Sequence, residues 1–213
     1  MRIAIPLFDQ MTALDAVGPY EVLQRLPDAT VTFIGERAGT TVRTDNGFLG
    51  LVVDAAYDDL PDPDVVVVPG GVGTRALLAD HPILGWVRTA HATARFTTSV
   101  CTGSLVLAAA GLLDGLTATT HWAAYDILRG LGAEPTGQRV VEHVDRRIIT
   151  AAGVSSGIDM ALRLSELLVD DVAAKAMQLM IEYDPQPPFD AGSVDKAGEQ
   201  VMARALLYAE TKR

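Results

Sequence analysis

A run of four valines, Val65–Val68, constrains the fold of this 213-residue chain more than any other segment. β-branched side chains favour strands, and an unbroken apolar run fits a strand that is buried on both faces, as in a parallel sheet. Along the rest of the chain, short apolar segments alternate with segments of helical spacing. This alternation is typical of a three-layer α/β fold. We therefore predict a three-layer sandwich with a mostly parallel central sheet.

Turn and breaker residues refine this prediction. Asn46-Gly47 separates two short apolar segments, and Asn-Gly is a common turn of β-hairpins. A second pair of short strands is predicted within residues 139–150. Gly18-Pro19 interrupts the helical spacing of Thr12–Leu26, so that helix should bend or restart there, because proline lacks the backbone N–H. A last helix is predicted over Gly198–Lys212.

Composition excludes several classes of protein. The chain has 27 acidic and 17 basic residues, a formal net charge of −10, which repels phosphate backbones and anionic membranes. The longest apolar stretch, Leu105–Leu113, is far shorter than the ~20 residues of a membrane span. The N-terminus resembles no targeting signal. We expect a cytoplasmic protein that binds neither nucleic acid nor membranes, folded as one domain over residues 1–213.

The chain has a single cysteine, Cys101, so it has no internal disulfide framework and no Cys-rich zinc site. No pair of histidines or acids has metal-ligand spacing, and we expect no metal site. Cys101 stands where the predicted strand Phe96–Val100 turns into a helix, with Gly103 two residues later. This partly matches a nucleophile elbow, with Ser99 in place of the usual preceding glycine. We predict a nucleophile whose pKa the helix terminus lowers. The alternative is a buried structural cysteine.

Two further segments should meet Cys101, because ligands of parallel α/β sheets bind beyond the carboxyl ends of the strands. Gly70 and Gly71 follow the valine strand directly. Their N–H groups, together with that of Thr102, are candidates for an oxyanion-hole-like cradle. The alternative is an ordinary glycine loop after a strand.

Asp15 and His121 are the candidate acid–base groups. Asp15 lies among apolar residues after the first strand, where burial would raise the pKa of its carboxyl and let it hold a proton. The alternative is an acid that caps the helix N-terminus. His121 is a candidate partner of the thiol or of a substrate, and the alternative is a packed histidine beside Trp122.

These segments resemble the PfpI-type branch of the class I glutamine-amidotransferase-like superfamily, which has a flavodoxin-like sandwich and a cysteine nucleophile elbow. The resemblance spans almost the whole chain. It is carried by the segments 14–19, 68–71, 98–104, 118–122, 152–159 and 183–193. It implies a homodimer, to which the arm Pro187-Pro188-Phe189 would contribute.

At two positions the chain is most similar to those members of the superfamily that hydrate isocyanides. Many members place a glutamate at the end of the first strand, where this chain has none, and Asp15 takes that place. Peptidase-like members have His directly after the cysteine, where this chain has Thr102. The resemblance implies that Cys101 attacks an isocyanide and that Asp15 supplies and removes protons. Thr102 would act as a third catalytic residue and, with Gly71, would position and polarise the intermediate through backbone N–H groups. Gly70 and His121 would help to bind the substrate, and an N-substituted formamide would leave without help from any cofactor.

Two alternatives to this activity stay open, and a third is disfavoured. The same cysteine fits a non-enzymatic redox or small-ligand sensor. Another superfamily activity, on reactive aldehydes or amides, also fits. Regulators with a similar domain continue into a helix-turn-helix region. The acidic composition and the end of the chain at Arg213 disfavour that reading.

Overall fold

The computed structural model describes residues 1–211. The chain divides into two compact units, Met1–Ile181 and Glu182–Arg213. The strands are β1 (Arg2–Pro6), β2 (Thr30–Gly35), β3 (Thr41–Arg43), β4 (Gly50–Val52), β5 (Ala55–Ala56), β6 (Val65–Val68), β7 (Phe96–Val100), β8 (Thr117–Ala118), β9 (Glu134–Pro135), β10 (Val140–His143) and β11 (Ile148–Ala151). The α-helices are α1 (Ala13–Leu23), α2 (Pro82–Thr93), α3 (Gly103–Ala109), α4 (Tyr125–Gly130), α5 (Ser156–Leu168), α6 (Asp171–Met180) and α7 (Val194–Thr211).

The first unit is built on one seven-stranded sheet of order β10-β11-β7-β6-β1-β2-β5. All neighbouring strands pair in parallel except β10, which is antiparallel to β11. Helices α1, α5 and α6 pack together on one face, and α2, α3 and α4 pack together on the other. The predicted three-layer α/β sandwich is confirmed.

The valine strand lies at the centre of the sheet, as predicted. Strand β6 is flanked by β1 and β7, and all four of its valines are fully buried. Helices cover it from both sides, which explains why no polar residue alternates along it. The register pairs Val65 with Ile3 of β1 and with Phe96 of β7. This register brings the carboxyl ends of all three strands to one edge of the sheet.

Both predicted hairpins are present. Strands β3 and β4 pair antiparallel around a turn in which Gly47 has φ +75°, a conformation that glycine adopts without strain. Strands β10 and β11 pair antiparallel around Arg147, which is left-handed at φ +59°.

Helix α1 does not restart at Gly18-Pro19 but runs through it, so that part of the prediction is wrong. Both residues are buried against α5. A Cβ on Gly18 would lie 3.1 Å from Ile158 Cγ1, and one on Gly157 would lie 3.2 Å from Pro19 Cγ. The close packing of these two helices holds the backbone helical although Pro19 donates no hydrogen bond. Tertiary packing thus outweighs the local preference.

The second unit contains the helix α7, which begins at Val194, four residues before the prediction. Gly198 interrupts it with φ +69° and ψ 164°. The predicted end at Lys212 lies outside the described residues. Within residues 1–211, no helix is both long enough and apolar enough to cross a membrane. That the second unit shares one domain with the first stays a prediction.

The crossing of α3 over β6 predicts a position that tolerates no side chain. A Cβ on Gly103 would lie 2.1 Å from the Val68 carbonyl oxygen. We expect Gly103→Ala to lower the free energy of unfolding by ~3 kcal/mol, since an overpacked core displaces backbone. The control is Gly85→Ala within α2, where nothing lies within 4 Å of the added atom. That change should stabilise by about 1 kcal/mol through helix propensity. Urea unfolding of both variants tests this, and a Gly103→Ala variant as stable as the parent would contradict the packing.

Candidate active site

Cys101 occupies a tight turn between β7 and α3, so the predicted elbow is present. Its backbone is left-handed, with φ +57°, which is uncommon for any residue other than glycine. The turn is held by the Cys101 N–H, which donates to the carbonyl oxygens of Ala151 (3.1 Å) and Ala152 (2.8 Å). The Cys101 carbonyl accepts a hydrogen bond from Thr120 Oγ1 at 3.0 Å. Cys101 is only 4% exposed.

The glycine loop after β6 fits directly against this elbow. A Cβ on Gly70 would lie 2.4 Å from the Thr102 nitrogen, so only glycine allows this approach. Thr102 Oγ1 accepts a hydrogen bond from the Gly71 N–H (2.9 Å) and donates one to the Gly71 carbonyl (3.0 Å). The two loops therefore form one interlocked body.

Asp15 lies in the first turn of α1 and is fully buried. Its Oδ2 accepts a hydrogen bond from the Gly70 N–H at 2.9 Å, and its Oδ1 has no hydrogen-bond partner among the described residues. The carboxyl interacts with the Cys101 thiol. Burial raises the pKa of Asp15 to about 7, although the hydrogen bonds from Gly70 and Cys101 lower it. This direction agrees with the prediction from the apolar surroundings of the residue.

The pKa of the Cys101 thiol runs against the prediction. Burial and, to a smaller extent, the negative charge of Asp15 together raise it to about 12. Hydrogen bonds from the backbone N–H groups of Thr102 and Val154 favour the thiolate, but they do not offset the loss of water. The predicted lowering of the pKa by the helix terminus is outweighed by desolvation, which a sequence pattern does not report. The resting cysteine is therefore a protonated thiol facing a carboxyl group.

The N–H groups of Gly70 and Gly71 are already engaged in the structure. The first donates to Asp15 and the second to Thr102 Oγ1. The predicted cradle made of both glycines is thus not free to hold a ligand. The backbone N–H groups that favour a negative charge on the sulfur are those of Thr102 and Val154. Sequence reasoning missed Val154. Its signal was its place just after β11, which neighbours β7 in the sheet.

His121 lies against the loop that carries Val154. A Cβ on Gly153 would lie 2.8 Å from His121 Cδ2. His121 Nδ1 accepts a hydrogen bond from the Ala123 N–H at 3.3 Å, and its ring stacks on Trp122 with centroids 5.1 Å apart. Burial lowers the pKa of His121, and the charge of Arg75 lowers it further. Within residues 1–211, no hydrogen bond joins His121 to the thiol, which faces Asp15 instead.

Metal ligands do not assemble around this site. Over the part of the chain that the structure describes, no group of three or more His, Cys, Asp or Glu residues is placed to hold a metal ion.

The α/β sandwich and the cysteine elbow define a class that known proteins share. Residues 1–167 match the DJ-1/PfpI family. An isonitrile hydratase from Pseudomonas putida is 45% identical over 209 residues, which are 98% of this chain and 90% of the relative. The crystal structure of a THiJ/PfpI family protein from Pseudomonas syringae superposes with a TM-score of 0.91. It is 41% identical, and the match covers 99% of this chain and 87% of that one.

The chain belongs to the DJ-1/PfpI family. The family also contains proteins with other functions. An HTH-type transcriptional regulator from Pseudomonas aeruginosa is 32% identical over 164 residues, which are 76% of this chain and 48% of the regulator. Membership therefore identifies the fold and the superfamily, and the activity has to be argued from the site.

Asp15 should make stability depend on pH. In the unfolded chain its carboxyl releases its proton near pH 4, whereas in the folded protein it does so near pH 7. Stability therefore falls as the pH rises through this window, and above it the loss is complete, on the order of 4 kcal/mol.

Asp15→Asn removes that loss and retains an oxygen for the Gly70 N–H. We measure the unfolding free energy of variant and parent by urea unfolding. We expect the value of the variant minus that of the parent to be larger at pH 8 than at pH 5. Asp145→Asn, at an exposed carboxyl, controls for the loss of one charge. An Asp15→Asn difference that is the same at both pH values would contradict the raised pKa.

Proposed function

We propose that this protein is an isocyanide hydratase, which converts an isocyanide and water into an N-substituted formamide. The observation that carries the proposal is the buried pair of the Cys101 thiol and the Asp15 carboxyl, with Asp15 fixed by the Gly70 N–H at 2.9 Å. Hydration of an isocyanide needs a soft nucleophile for its terminal carbon and a proton for that same carbon. The similarity to an isonitrile hydratase along 98% of the chain supports this reading.

In the first step, the Asp15 carboxylate takes the thiol proton as the sulfur of Cys101 attacks the isocyanide carbon. The S–C bond forms, and the proton on Asp15 is delivered to the same carbon. The product is a neutral thioimidate in which carbon carries sulfur, hydrogen and a C=N bond. The thiol needs no resting thiolate, because the proton leaves as the bond forms.

In the second step, water adds to the thioimidate carbon. Asp15 takes a proton from the water and passes it to the nitrogen, which gives a tetrahedral adduct. The C–S bond then breaks as the carbonyl forms, and Asp15 transfers the hydroxyl proton to the sulfur. The N–H groups of Thr102 and Val154 stabilise negative charge on the sulfur as it leaves. One isocyanide and one water are consumed for each formamide released.

The environment of the thiol favours this mechanism over a redox sensor. Oxidation by peroxide depends on thiolate character and on exposure. Cys101 is buried, and its pKa is raised to about 12. A thiol that stays protonated at neutral pH reacts slowly with peroxide, whereas in the hydration mechanism its proton leaves as the S–C bond forms.

The substrate class is a small-molecule isocyanide. The homodimer stays a proposal, and Phe189 in the arm assigned to it is 79% exposed. The cytoplasmic location also stays a prediction.

Formamide production from an aryl isocyanide, followed by ¹³C NMR, tests the activity. We expect Cys101→Ala to lower kcat/KM by at least ~10³, since the covalent route is lost. Arg129→Gln on the surface of α4 serves as the matched control and should keep full turnover. A purified protein without turnover on any isocyanide would refute the proposal, and so would a Cys101→Ala variant that retains full activity.

The rate should depend on the protonation of Asp15. Below its pKa of about 7, the pair holds two protons and the base is lost. We expect kcat/KM to fall about tenfold per pH unit below that value and to level off above it. Because isocyanides hydrolyse slowly in acid on their own, the rate with Cys101→Ala is subtracted at each pH. A flat profile between pH 5 and 8 would remove Asp15 as the base.

A further inference from the structure

A cavity of about 780 Å³ lies beside the catalytic site, at the carboxyl ends of β1 and β2. Asp9 and Gln10, Gly73, and the hairpin of β3 and β4 form its walls. Cys101, Asp15 and Thr102 do not line it. The segment Gln10–Thr12 separates the two, since Gln10 faces the cavity and the Thr12 N–H donates to the Gly70 carbonyl. A cavity of this size is in the range that encloses a small molecule.

The inner wall of the cavity is apolar. Leu7, Phe8, Val53 and Leu77 contribute to it, and each of them is buried. Such a surface favours an apolar group of a ligand, because burial removes it from water.

Tyr57 adds an unsatisfied donor to this wall. The residue is 7% exposed, and its hydroxyl has no hydrogen-bond partner within the described residues. Burial raises the pKa of Tyr57, and the charge of Glu36 raises it further, so the phenol keeps its proton. A buried hydroxyl without a partner costs about 1–3 kcal/mol. The hydroxyl itself is buried, so a ligand that offers an acceptor would recover that cost once the Tyr57 side chain turns toward it.

The charged groups that line the cavity are Asp9, Glu36, Arg37, Arg43 and His81. Both acids are engaged. Asp9 Oδ1 accepts the Arg43 backbone N–H at 3.0 Å, and Glu36 Oε1 lies 2.7 Å from His81 Nε2. Since His81 Nδ1 accepts the Ile83 N–H, the ring proton sits on Nε2 and is donated to Glu36.

Unlike the two acids, the two arginines have no such side-chain partner among the described residues. Within residues 1–211, neither the Arg37 nor the Arg43 guanidinium has an ion pair or a hydrogen bond. Two guanidinium groups without a partner among the described residues thus lie at one cavity, in a chain whose net charge is −10. A guanidinium matches the two oxygens of a carboxylate.

We infer that this cavity is a second binding site, which takes a small carboxylate with an apolar body. The carboxylate lies between Arg37 and Arg43, the apolar body packs on Phe8 and Leu77, and the Tyr57 hydroxyl donates to an acceptor of the ligand. The site is independent of the chemistry at Cys101.

Titration of the full chain with phenylacetate, benzoate and hexanoate tests the inference, with phenylacetamide as the uncharged control. Binding is followed in ¹⁵N–¹H spectra at the amides of Val53, Gly73 and Leu77. We expect saturable binding of at least one carboxylate, at least tenfold tighter than the amide. Arg37→Gln combined with Arg43→Gln should weaken it at least tenfold. Cys101→Ala should leave it unchanged.

Tyr57→Phe provides the sharpest variant, because the hydroxyl makes no hydrogen bond that folding depends on. We expect this variant to unfold at the same urea concentration as the parent or at a higher one, while its affinity for the carboxylate falls severalfold. The inference is overturned if no carboxylate saturates the protein by about 10 mM, or if the amide binds equally well. It is also overturned if Cys101→Ala abolishes binding, or if Tyr57→Phe and the arginine variants bind as the parent does. Turnover of isocyanide is measured separately, so the two proposals fail independently.

Discussion

One hydrogen bond, from the Gly70 N–H to Oδ2 of Asp15, underlies the chemistry proposed for this protein. It crosses from the loop after β6 to the first turn of α1, at the point where the strand order of the sheet reverses. A carboxyl group buried this deeply has lost its water, and one backbone donor replaces only part of it. Its pKa therefore rises into the neutral range, which turns an ordinary acid into a group that can both take and give a proton.

The same desolvation raises the pKa of the thiol, where its effect on reactivity is unfavourable. It makes the sulfur a poor resting nucleophile, since the charged form is penalised. The two groups act on each other unequally: the hydrogen bond with Cys101 favours the charged form of Asp15, whereas the charge of Asp15 opposes a thiolate. In the proposed mechanism the exclusion of water serves catalysis, and it is also the reason why the buried carboxyl costs stability.

The sequence predicted the features that follow from local chemistry. Four valines identified the central strand, Asn46-Gly47 identified a hairpin, and the apolar neighbours of Asp15 identified its raised pKa. The failures concern quantities that depend on distant packing. The helix through Pro19 is held by α5, and the pKa of Cys101 is dominated by burial. The Gly70 and Gly71 N–H groups donate to side chains that are distant in the sequence. No pattern within one segment reports such contacts.

Val154 contributes a backbone N–H to the site. Its own backbone is left-handed, with φ +43°, a conformation that β-branched residues rarely adopt. Every amino acid except proline carries the same N–H, so this donor depends on the backbone conformation that the surrounding structure imposes. A change elsewhere in the loop that relaxed this conformation would therefore alter the charge balance at the sulfur without replacing any side chain of the site.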